Sequence, residues 1–554
     1  MVEPAIKPAS AGAQEPLGIG SVVADVSPLS KELVIALVGY AGAGCTTAGR
    51  RLEALLDGGG YRVHYIRLSE LIVAKAPIGT VPTVESGLRE GPTKFRRATR
   101  LQDVGDGLRK DFGSHAIAAL GIKAIMQMRG TADHGKQKIA FILDSLKHSD
   151  EVNLLRKVYD LSFRLVAVHC ERSRRELRLI GRTASSAKFK GVSDAEVKGY
   201  MDRDEKDKGN RFGQQVRDAF YLADYFIDNN TNSQDGFRNN AELQRFIDLL
   251  LGNNLVRPTN AERGMFHAHA AGLQSSCLSR QVGAALQAPD GRIIASGTND
   301  VPRFGGGVYS EDTPQDHRCH VWEFSDGQIT FRGCHNTRHK NRLRDEITQW
   351  FADTFVGLLA QAAHPLPKDG LDTAQKAREE AEKRMKELIS ESSVKMDQIP
   401  GVKDLIEFSR SIHAEMDAVL NAARTGTSPE GTTLYCTTFP CHSCARQLVA
   451  AGVRRVLYIE PYVKSLAAEL HSDSIQTEAP AVESSGKGQE AKGMLILPFT
   501  GVGPRMYQDY FLKKGELKTD TGEYKAPVGE APAYAVRLRE AAEVETAAAR
   551  LIPD

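Results

Sequence analysis

Two short motifs in the C-terminal part of this 554-residue chain constrain its fold more than any other feature. The first is His413-Ala-Glu415, and the second, after 24 intervening residues, is Pro440-Cys441-His-Ser-Cys444. One imidazole and two thiolates can hold a zinc ion by three bonds and leave its fourth tetrahedral position open, as catalytic zinc sites do. We therefore predict that His413, Cys441 and Cys444 bind Zn²⁺ and that Glu415 is the catalytic proton carrier.

The residues around these motifs predict where the ligands lie in the fold. A helix is predicted over 415–423, a strand over 434–438, and a second helix over 441–451. Both cysteines then lie at a helix N-terminus, where the helix dipole favours a thiolate. A closed four-ligand zinc site is the alternative. The nearest fourth ligand, Cys436, falls in the predicted strand, where we expect it to be a core residue.

Composition and charge restrict the kinds of partner. The 72 basic and 70 acidic residues give a net charge of +2, which argues against a surface that coats nucleic acid. No run approaches the roughly 18 apolar residues of a membrane helix, and the N-terminus lacks the order of a signal peptide. Eight sparse cysteines favour metal binding in a reducing compartment over a disulfide framework. We expect a cytoplasmic protein without a membrane partner.

A glycine-rich turn organises the N-terminal part of the chain. After a leader at 1–30, the apolar run 33–38 predicts a buried parallel strand, and a helix follows the turn to about residue 56. Backbone N–H groups and the positive helix end would converge there on a phosphate. The spacing matches G-x-x-x-x-G-K-[ST] with Cys45 at the lysine position, which speaks against nucleotide hydrolysis even where binding survives. The alternative is a turn that no longer binds a nucleotide. The candidate nucleotide-binding residues are Gly39, Gly42, Gly44, Cys45, Thr46 and Asp144.

The strands that follow have the pattern of an α/β domain. Apolar runs predict strands over 61–66, 138–144, 163–169 and 223–230. Asp144 ends one of them, where a P-loop protein holds Mg²⁺, although a capping aspartate is the simpler alternative. This order resembles the P-loop nucleotide and dephospho-coenzyme A kinases. The resemblance implies a kinase-like parallel sheet that binds a nucleotide with Mg²⁺.

A second pattern of helices and strands begins after a helical connection at 233–260. Residues 277–287 and 292–297 predict a strand hairpin with an Asp-Gly turn. The H-x-E and P-C-x-x-C pair is the signature of zinc nucleobase deaminases, and its flanks strongly resemble deoxycytidylate-type deaminases. The resemblance implies a cytidine deaminase-like α/β/α domain. There water replaces the amine at C4 of cytosine, and Glu415 carries the protons.

The same resemblance implies contacts to the substrate. Asn299 stands in the loop Gly297-Thr-Asn299-Asp, at the place of the family's nucleoside-binding asparagine, and Arg280 is the expected phosphate or sugar contact. Tyr462 and Lys464 follow a predicted strand, and we interpret them as contacts to the phosphate end. A further stretch is either a second zinc site or a metal-free insertion. Its candidate ligands are His317, Cys319, His320, Cys334, His335 and His339.

A kinase-like domain ahead of a deoxycytidylate-type deaminase resembles the bacterial anti-phage nucleotide deaminases. The resemblance implies dCTP and dCMP as substrates, regulation by the N-terminal domain, a homo-oligomer and, in some members, a regulatory RNA. The rivals are a housekeeping dCMP deaminase, a nucleic-acid editing deaminase and a binding module with a dead deaminase. The expected regions are a leader (1–30), a kinase-like domain (31–232), a connection (233–260), a deaminase-type domain (261–528) with insertions at about 303–345 and 362–400, and a tail (529–554).

Overall fold

The chain divides into two units, which are described separately below. The first comprises residues 1–259 and 500–554, and the second comprises residues 260–499. Both are mixed α/β units, as the sequence predicts. The structure is a computed structural model that describes residues 29–77, 79, 81, 91–129, 138–180, 188–230, 240–253, 255–321, 332–362, 383, 387, 408–461, 465–478, 491–513, 516–525, 534–535 and 538–552.

The described strands of the first unit form a six-stranded sheet in the order β13-β6-β5-β2-β4-β3. All of its neighbours pair in parallel except β13, which runs antiparallel to β6. Every residue of the central strand β2 is buried, because a parallel strand is covered on both faces. The strands are β2 (Leu33–Val38), β3 (Arg62–Arg67), β4 (Ile139–Leu146), β5 (Phe163–His169), β6 (Tyr225–Asp228) and β13 (Gly501–Val502).

Helices follow the strands of this sheet in the alternation that a parallel α/β unit requires. The helix α1 begins directly after the glycine turn, and its buried positions include Ala48, Leu52 and Leu56, which join the core beneath β2. The helices are α1 (Cys45–Gly58), α2 (Leu68–Lys75), α3 (Gly91–Phe112), α4 (Ala116–Arg129), α5 (Ser149–Tyr159), α6 (Arg172–Ile180), α7 (Asp194–Glu205), α8 (Val216–Phe220) and α9 (Asn240–Leu250).

Residues 500–554 group with the first unit, whereas the sequence analysis expected the deaminase-type domain to extend to residue 528. The strand β13 completes the edge of the first sheet, and α15 (Tyr507–Phe511) contributes to the same core. The expected tail contains α16 (Leu538–Ala549) and β14 (Tyr534–Ala535), which pairs with β1 (Leu29–Ser30). Arg129 on α4 forms buried ion pairs with Glu545 and Glu32. Local periodicity cannot reveal pairings between residues so far apart in sequence.

The second unit is built on another six-stranded sheet, in the order β11-β12-β10-β9-β7-β8. The hairpin β7–β8 is antiparallel, as the Asp-Gly turn predicts, whereas β9, β10, β12 and β11 run in parallel. Strand β9 therefore lies between an antiparallel and a parallel neighbour. The strands are β7 (Gly283–Gln287), β8 (Ile293–Thr298), β9 (Thr433–Thr438), β10 (Arg455–Glu460), β11 (Ile475–Gln476) and β12 (Met494–Pro498).

The helices of the second unit pack on this sheet at close range. A Cβ atom at Gly297 in β8 would overlap the carbonyl of Ala414 and the amide of Ala418, so helix and strand backbones touch there. Much of the predicted insertion at 362–400 and residues 1–28 of the predicted leader (1–30) lie outside the described residues, whereas Leu29–Ser30 form β1. Within the described part of the chain, none of the helices has the length and apolarity that a membrane crossing requires. The helices are α10 (Asn260–Gly272), α11 (His335–Ala362), α12 (Ala414–Arg424), α13 (His442–Ala450) and α14 (Ala467–Leu470).

Candidate active site

His413 and Glu415 are positioned by the start of α12. His413 is the N-cap residue of this helix, with extended backbone angles, and therefore lies just before the first turn in which it was predicted. The preceding residue, Ile412, donates its N–H to the carbonyl of Asp300 at 2.9 Å. This hydrogen bond holds the approach to the helix against the loop that follows β8.

Cys441 and Cys444 lie at the start of α13, as predicted. Cys441 is the N-cap residue, and its sulfur accepts a hydrogen bond from the N–H of Cys444 at 3.4 Å. Ser465 donates its hydroxyl hydrogen to the carbonyl of Pro440 at 2.8 Å, which fixes the turn before the helix. The hydrogen bond with Cys444 lowers the pKa of the Cys441 thiol, and the same contact together with burial raises the pKa of Cys444. Within this pair the thiolate that a metal ligand requires is therefore favoured at Cys441.

The three predicted metal ligands converge on one point. Nδ1 of His413 lies 3.2 Å from Sγ of Cys444 and 3.4 Å from Sγ of Cys441. All three donor atoms lie within 4.8 Å of one another, and they form the one such group found among the described residues. One nitrogen and two sulfur donors suit tetrahedral zinc with an open fourth position, so the residues present fit this ion. Cys436 is fully buried in β9, as expected for a core residue.

Glu415 lines the same cavity as His413 and Cys441. Its side chain is only 4% exposed, and burial raises the pKa of this carboxyl group to about 7. A carboxyl group whose pKa lies near the working pH can both accept and return a proton. The position and the chemistry of Glu415 are therefore those of a general acid–base group beside the three metal ligands.

Arg280 and Asn299 line this cavity of about 330 Å³. The side-chain amide of Asn299 accepts the N–H of Val282 at 2.6 Å and donates to the carbonyl of Arg280 at 2.8 Å. Arg280 forms an ion pair with Glu460 at 3.0 Å, and its side chain is about half exposed. Asn299 thus holds the backbone of the segment that carries Arg280. Contact of either residue with a substrate stays a prediction.

Several other predicted residues are not part of the three-ligand group. Tyr462 and Lys464 lie outside the described residues. Cys319, Cys334 and His335 line the cavity together with Cys277, which the sequence analysis did not include. The ring of His317 packs instead against Tyr309, with centroids 5.7 Å apart. Within the described part of the chain these residues do not form a second compact metal-binding group.

Comparison with known proteins relates the second unit to a family. Residues 258–460 match the cytidine and deoxycytidylate deaminase zinc-binding region. This segment contains the three converging ligands and Glu415. The donor set and the matched region together indicate Zn²⁺ as the cofactor.

Individual relatives match a short part of the chain. The deoxycytidylate deaminase of Enterobacteria phage T2 is 46% identical over 54 residues, which are 10% of this chain and 29% of that protein. ComE operon protein 2 of Bacillus subtilis is 39% identical over 54 residues, again 10% of this chain and 29% of that protein. The chain therefore spans less than a third of the length of these curated relatives. The crystal structure of dCMP deaminase from the cyanophage S-TIM5 in apo form is 15% identical, with a TM-score of 0.20, and the match covers 44% of this chain and 99% of that one.

The predicted nucleotide-binding residues of the first unit line a different cavity, of about 430 Å³. The glycine turn has positive φ angles at Gly42 and Gly44, which only glycine adopts without strain. The hydroxyl of Thr46 donates to a carboxylate oxygen of Asp144 at 2.7 Å. The turn, the start of α1 and Asp144 are thus brought together as predicted, whereas nucleotide binding itself stays a prediction. The residues concerned are Gly39, Gly42, Gly44, Cys45, Thr46 and Asp144.

Sequence reasoning missed residues that support the deaminase-type cavity. The carboxylate of Asp300 accepts both the N–H and the hydroxyl hydrogen of Ser276, at 2.8 and 2.9 Å. Glu460 holds Arg280. No motif marks these two carboxylates, although Asp300 directly follows the predicted substrate contact Asn299. Thr437, by contrast, stands in the flank that resembles the deaminases, and its hydroxyl accepts the N–H of Gly283 at 3.1 Å.

Proposed function

We propose that the second unit is a zinc-dependent deaminase that hydrolyses the amino group of free deoxycytidine nucleotides. The observation that carries this proposal is the placement of Glu415 in the cavity bounded by two of the three converging metal ligands. The match of residues 258–460 to the deaminase zinc-binding region supports it. The open fourth position of the donor set favours a catalytic ion over a closed structural one.

The reaction requires protons to move between water and the pyrimidine ring. Zinc, when bound by His413, Cys441 and Cys444, supplies a Lewis acid that lowers the pKa of water to about 7. Glu415 accepts the proton of the water whose oxygen forms a bond to C4, and delivers a proton to N3 of the ring. Glu415 then accepts the proton of the hydroxyl now on C4 and passes it to the exocyclic amine, so that the C4–O group becomes a carbonyl as the C4–N4 bond breaks and ammonia leaves the uracil nucleotide.

The rest of the cavity would bind and orient the nucleotide. Arg280 offers a guanidinium group that suits a phosphate or sugar oxygen, because its fork of donors is planar and always charged. Asn299 contributes by holding the backbone at Val282 and Arg280, and its amide has further capacity for a nucleoside contact. We assign Tyr462 and Lys464 to the phosphate end of the same substrate.

A substrate panel tests the proposal. Purified, zinc-loaded protein is incubated with dCMP, dCDP, dCTP and CMP, and formation of the corresponding uracil nucleotide is followed together with ammonia release. We expect dCTP and dCMP to be converted. Absence of any product from these nucleotides, with turnover of a single-stranded oligonucleotide instead, would replace the proposal by a nucleic-acid editing function.

We further propose that the first unit binds a nucleotide with Mg²⁺ at its glycine turn and regulates the deaminase. In this proposal the protein is a cytoplasmic homo-oligomer that depletes dCTP in anti-phage defence, with a regulatory RNA as a further partner. The support is the resemblance of its two-part sequence to the anti-phage nucleotide deaminases. The rate of dCMP deamination is measured with and without ATP or dTTP. A rate independent of every nucleotide added would contradict regulation through this unit.

A deaminase restricted to dCMP is the second candidate, favoured by the names of the relatives. The proteins of phages T2 and T4 are called deoxycytidylate deaminases. Under this alternative the enzyme supplies dUMP for biosynthesis, and dCTP acts only as an effector. Conversion of dCMP with no conversion of dCTP, at equal enzyme concentration, selects this candidate.

A further inference from the structure

The cavity of the first unit contains two features that the glycine turn alone does not explain. One is Lys147, a lysine that follows a different strand and lies beside the position where the turn lacks its own lysine. The other is a buried glutamine, Gln102, whose side chain has no hydrogen-bond partner. We propose that this cavity binds a nucleoside phosphate in which Lys147 replaces the missing lysine at the phosphates and Gln102 recognises the edge of the base. This inference rests on the proposed nucleotide site at the glycine turn.

Lys147 supplies a positive charge at the glycine turn. It directly follows the end of β4, and its Nζ donates to the carbonyl of Gly39, the first glycine of the turn, at 3.2 Å. The lysine side chain is only 24% exposed. Its charge acts on the buried thiol of Cys45, the residue at the lysine position of the sequence pattern. A cation is therefore present at the turn although the motif has lost it.

Asp204 is the counter-ion of Lys147, and its carboxylate balances the positive charge of the lysine. One of its carboxylate oxygens lies 2.8 Å from Nζ of Lys147, and the other accepts the N–H of Ala41 in the turn at 2.7 Å. A buried carboxylate that binds both a turn N–H and the lysine uses the same donors that a phosphate oxygen would use. An incoming phosphate would share these donors or take them over.

Gln102 lies on α3 and lines the same cavity. It is only 6% exposed, and both its amide nitrogen and its amide oxygen lack a hydrogen-bond partner among the residues that the structure describes. Leaving a buried polar group without a hydrogen bond costs about 1–3 kcal/mol. A ligand that forms hydrogen bonds with both amide atoms of Gln102 would remove this cost. An amide offers a donor beside an acceptor, which complements the adjacent acceptor and donor on the edge of a nucleobase.

Apolar side chains contribute to the cavity that Gln102 lines, and Gly105, one turn further along α3, presents no side chain. Arg109 lines the cavity too, but its guanidinium group is already paired with the carboxylates of Asp106 and Glu151. Apolar walls with a few directed polar groups are the usual lining of a site for a planar organic ligand. The apolar side chains that line the cavity include Leu68, Ile72, Leu101, Ile117 and Leu179.

The two ends of the cavity can be tested separately with two kinds of probe. Full-length, zinc-loaded protein in the Glu415→Gln background is titrated with Mg²⁺ and dATP, dGTP, dTTP or dCTP, and separately with inorganic tripolyphosphate. Calorimetry gives the affinity and the number of sites. We expect Gln102→Leu to weaken the tightest-binding nucleotide about 10- to 100-fold, as the loss of two hydrogen bonds predicts, and to leave tripolyphosphate unchanged.

Lys147→Met should instead weaken nucleotide and tripolyphosphate alike, by about 10- to 100-fold, because it removes a charged contact to phosphate. The surface substitutions Gln127→Leu and Lys110→Met are matched controls that should change neither affinity. Because Lys147→Met leaves Asp204 without its ion pair, thermal unfolding checks the fold. Adding Cys45→Lys to this variant returns a lysine to the turn and should restore tripolyphosphate binding.

The outcomes separate this inference from the nucleotide site on which it rests. Tight nucleotide binding that Gln102→Leu leaves unchanged overturns the role of Gln102, while the phosphate site stands. Equal weakening of nucleotide and tripolyphosphate by Gln102→Leu also overturns base recognition. Tripolyphosphate binding that a folded Lys147→Met variant retains in full overturns the role of Lys147. No binding of any probe to the unsubstituted turn overturns both the inference and the proposed site.

Discussion

The glycine-turn cavity of the first unit and the deaminase-type cavity of the second unit use the same structural device in different ways. In each, a helix begins where a strand ends, at Cys45 in the first unit and at His442 in the second. In the second unit the sequence motifs carry the three metal ligands and Glu415. In the first unit the motif has lost its charged group, and a lysine that follows another strand lies beside it.

The two cavities differ in how strictly the ligand's geometry fixes the positions of the binding residues in the sequence. Three ligands of one ion must keep their donor atoms within a few ångströms, so His413, Cys441 and Cys444 hold fixed places relative to their helices. A phosphate accepts charge from any direction, because it has several oxygens and needs no fixed coordination geometry. A metal site can therefore be predicted from a sequence motif. In a phosphate site, the positively charged side chain can come from different helices, strands or loops, so a motif predicts it less well.

The strongest test of this comparison is Glu415→Gln. We expect the deamination rate to fall about 10²- to 10⁴-fold, because the amide cannot accept the proton of water or return it. Zinc content, measured by metal analysis, should be unchanged, since Glu415 is not among the three ligands. Tripolyphosphate binding to the first unit should also be unchanged.

The exposed Glu430 provides a matched control for this substitution. Glu430→Gln makes the same chemical change on the surface of the second unit and should leave the rate within twofold. A Glu415→Gln enzyme that keeps its metal and more than a tenth of the original rate would remove Glu415 from its assigned role.

Metal removal should affect the two units unequally. A chelator should abolish deamination and lower the stability of the second unit, by about 4 kcal/mol where free zinc had been a thousandfold above its dissociation constant. The first unit has no such group in its described residues, so its unfolding transition should not move. Denaturation curves with and without chelator provide the measurement. A shift of both transitions by the same amount would contradict the assignment of zinc to the second unit alone.

Substitutions of Arg280 and Glu460 test whether the substrate phosphate competes with a protein carboxylate for the arginine in the deaminase-type cavity. If Arg280 contacts the phosphate, Arg280→Gln should raise KM for dCMP about 10- to 100-fold with little change in kcat. Glu460→Gln should lower KM, because Arg280 then loses a competing carboxylate at 3.0 Å. Steady-state kinetics of both variants decides the matter. An unchanged KM in Arg280→Gln would leave the arginine with a purely structural role.

The sequence predicted the three ligands and Glu415 because each belongs to a short motif at fixed spacing. It also predicted β2 to β6 of the first sheet and β7 to β10 of the second, since buried strands form apolar runs, but it did not predict β11, β12 or β13. It could not predict that residues 500–554 join the first unit, because the pairing of β13 with β6 depends on distant partners. Lys147 and Gln102 were missed for a related reason. Their significance lies in what the fold places beside them, and neither stands in a motif.

The smallest expected effects come from two glycines with opposite environments, one in each unit. In the second unit, Gly297→Ala would force a Cβ against the backbone of Ala414 and Ala418, directly beneath the helix that carries Glu415. Overpacking of this kind destabilises by about 1–3 kcal/mol, and here it should also lower the deamination rate by displacing α12.

In the first unit, Gly199 lies within the exposed face of α7, and a Cβ there meets no atom within 4 Å. Gly199→Ala should therefore stabilise the first unit by about 0.5–1 kcal/mol, because alanine loses less backbone entropy in a helix. Denaturation midpoints and the dCMP deamination rate are measured for both variants. If close backbone packing positions α12, Gly297→Ala should lower stability and Gly199→Ala should raise it. Only Gly297→Ala should then lower the deamination rate. A stable, fully active Gly297→Ala enzyme would show that α12 can move away from β8 without disturbing Glu415.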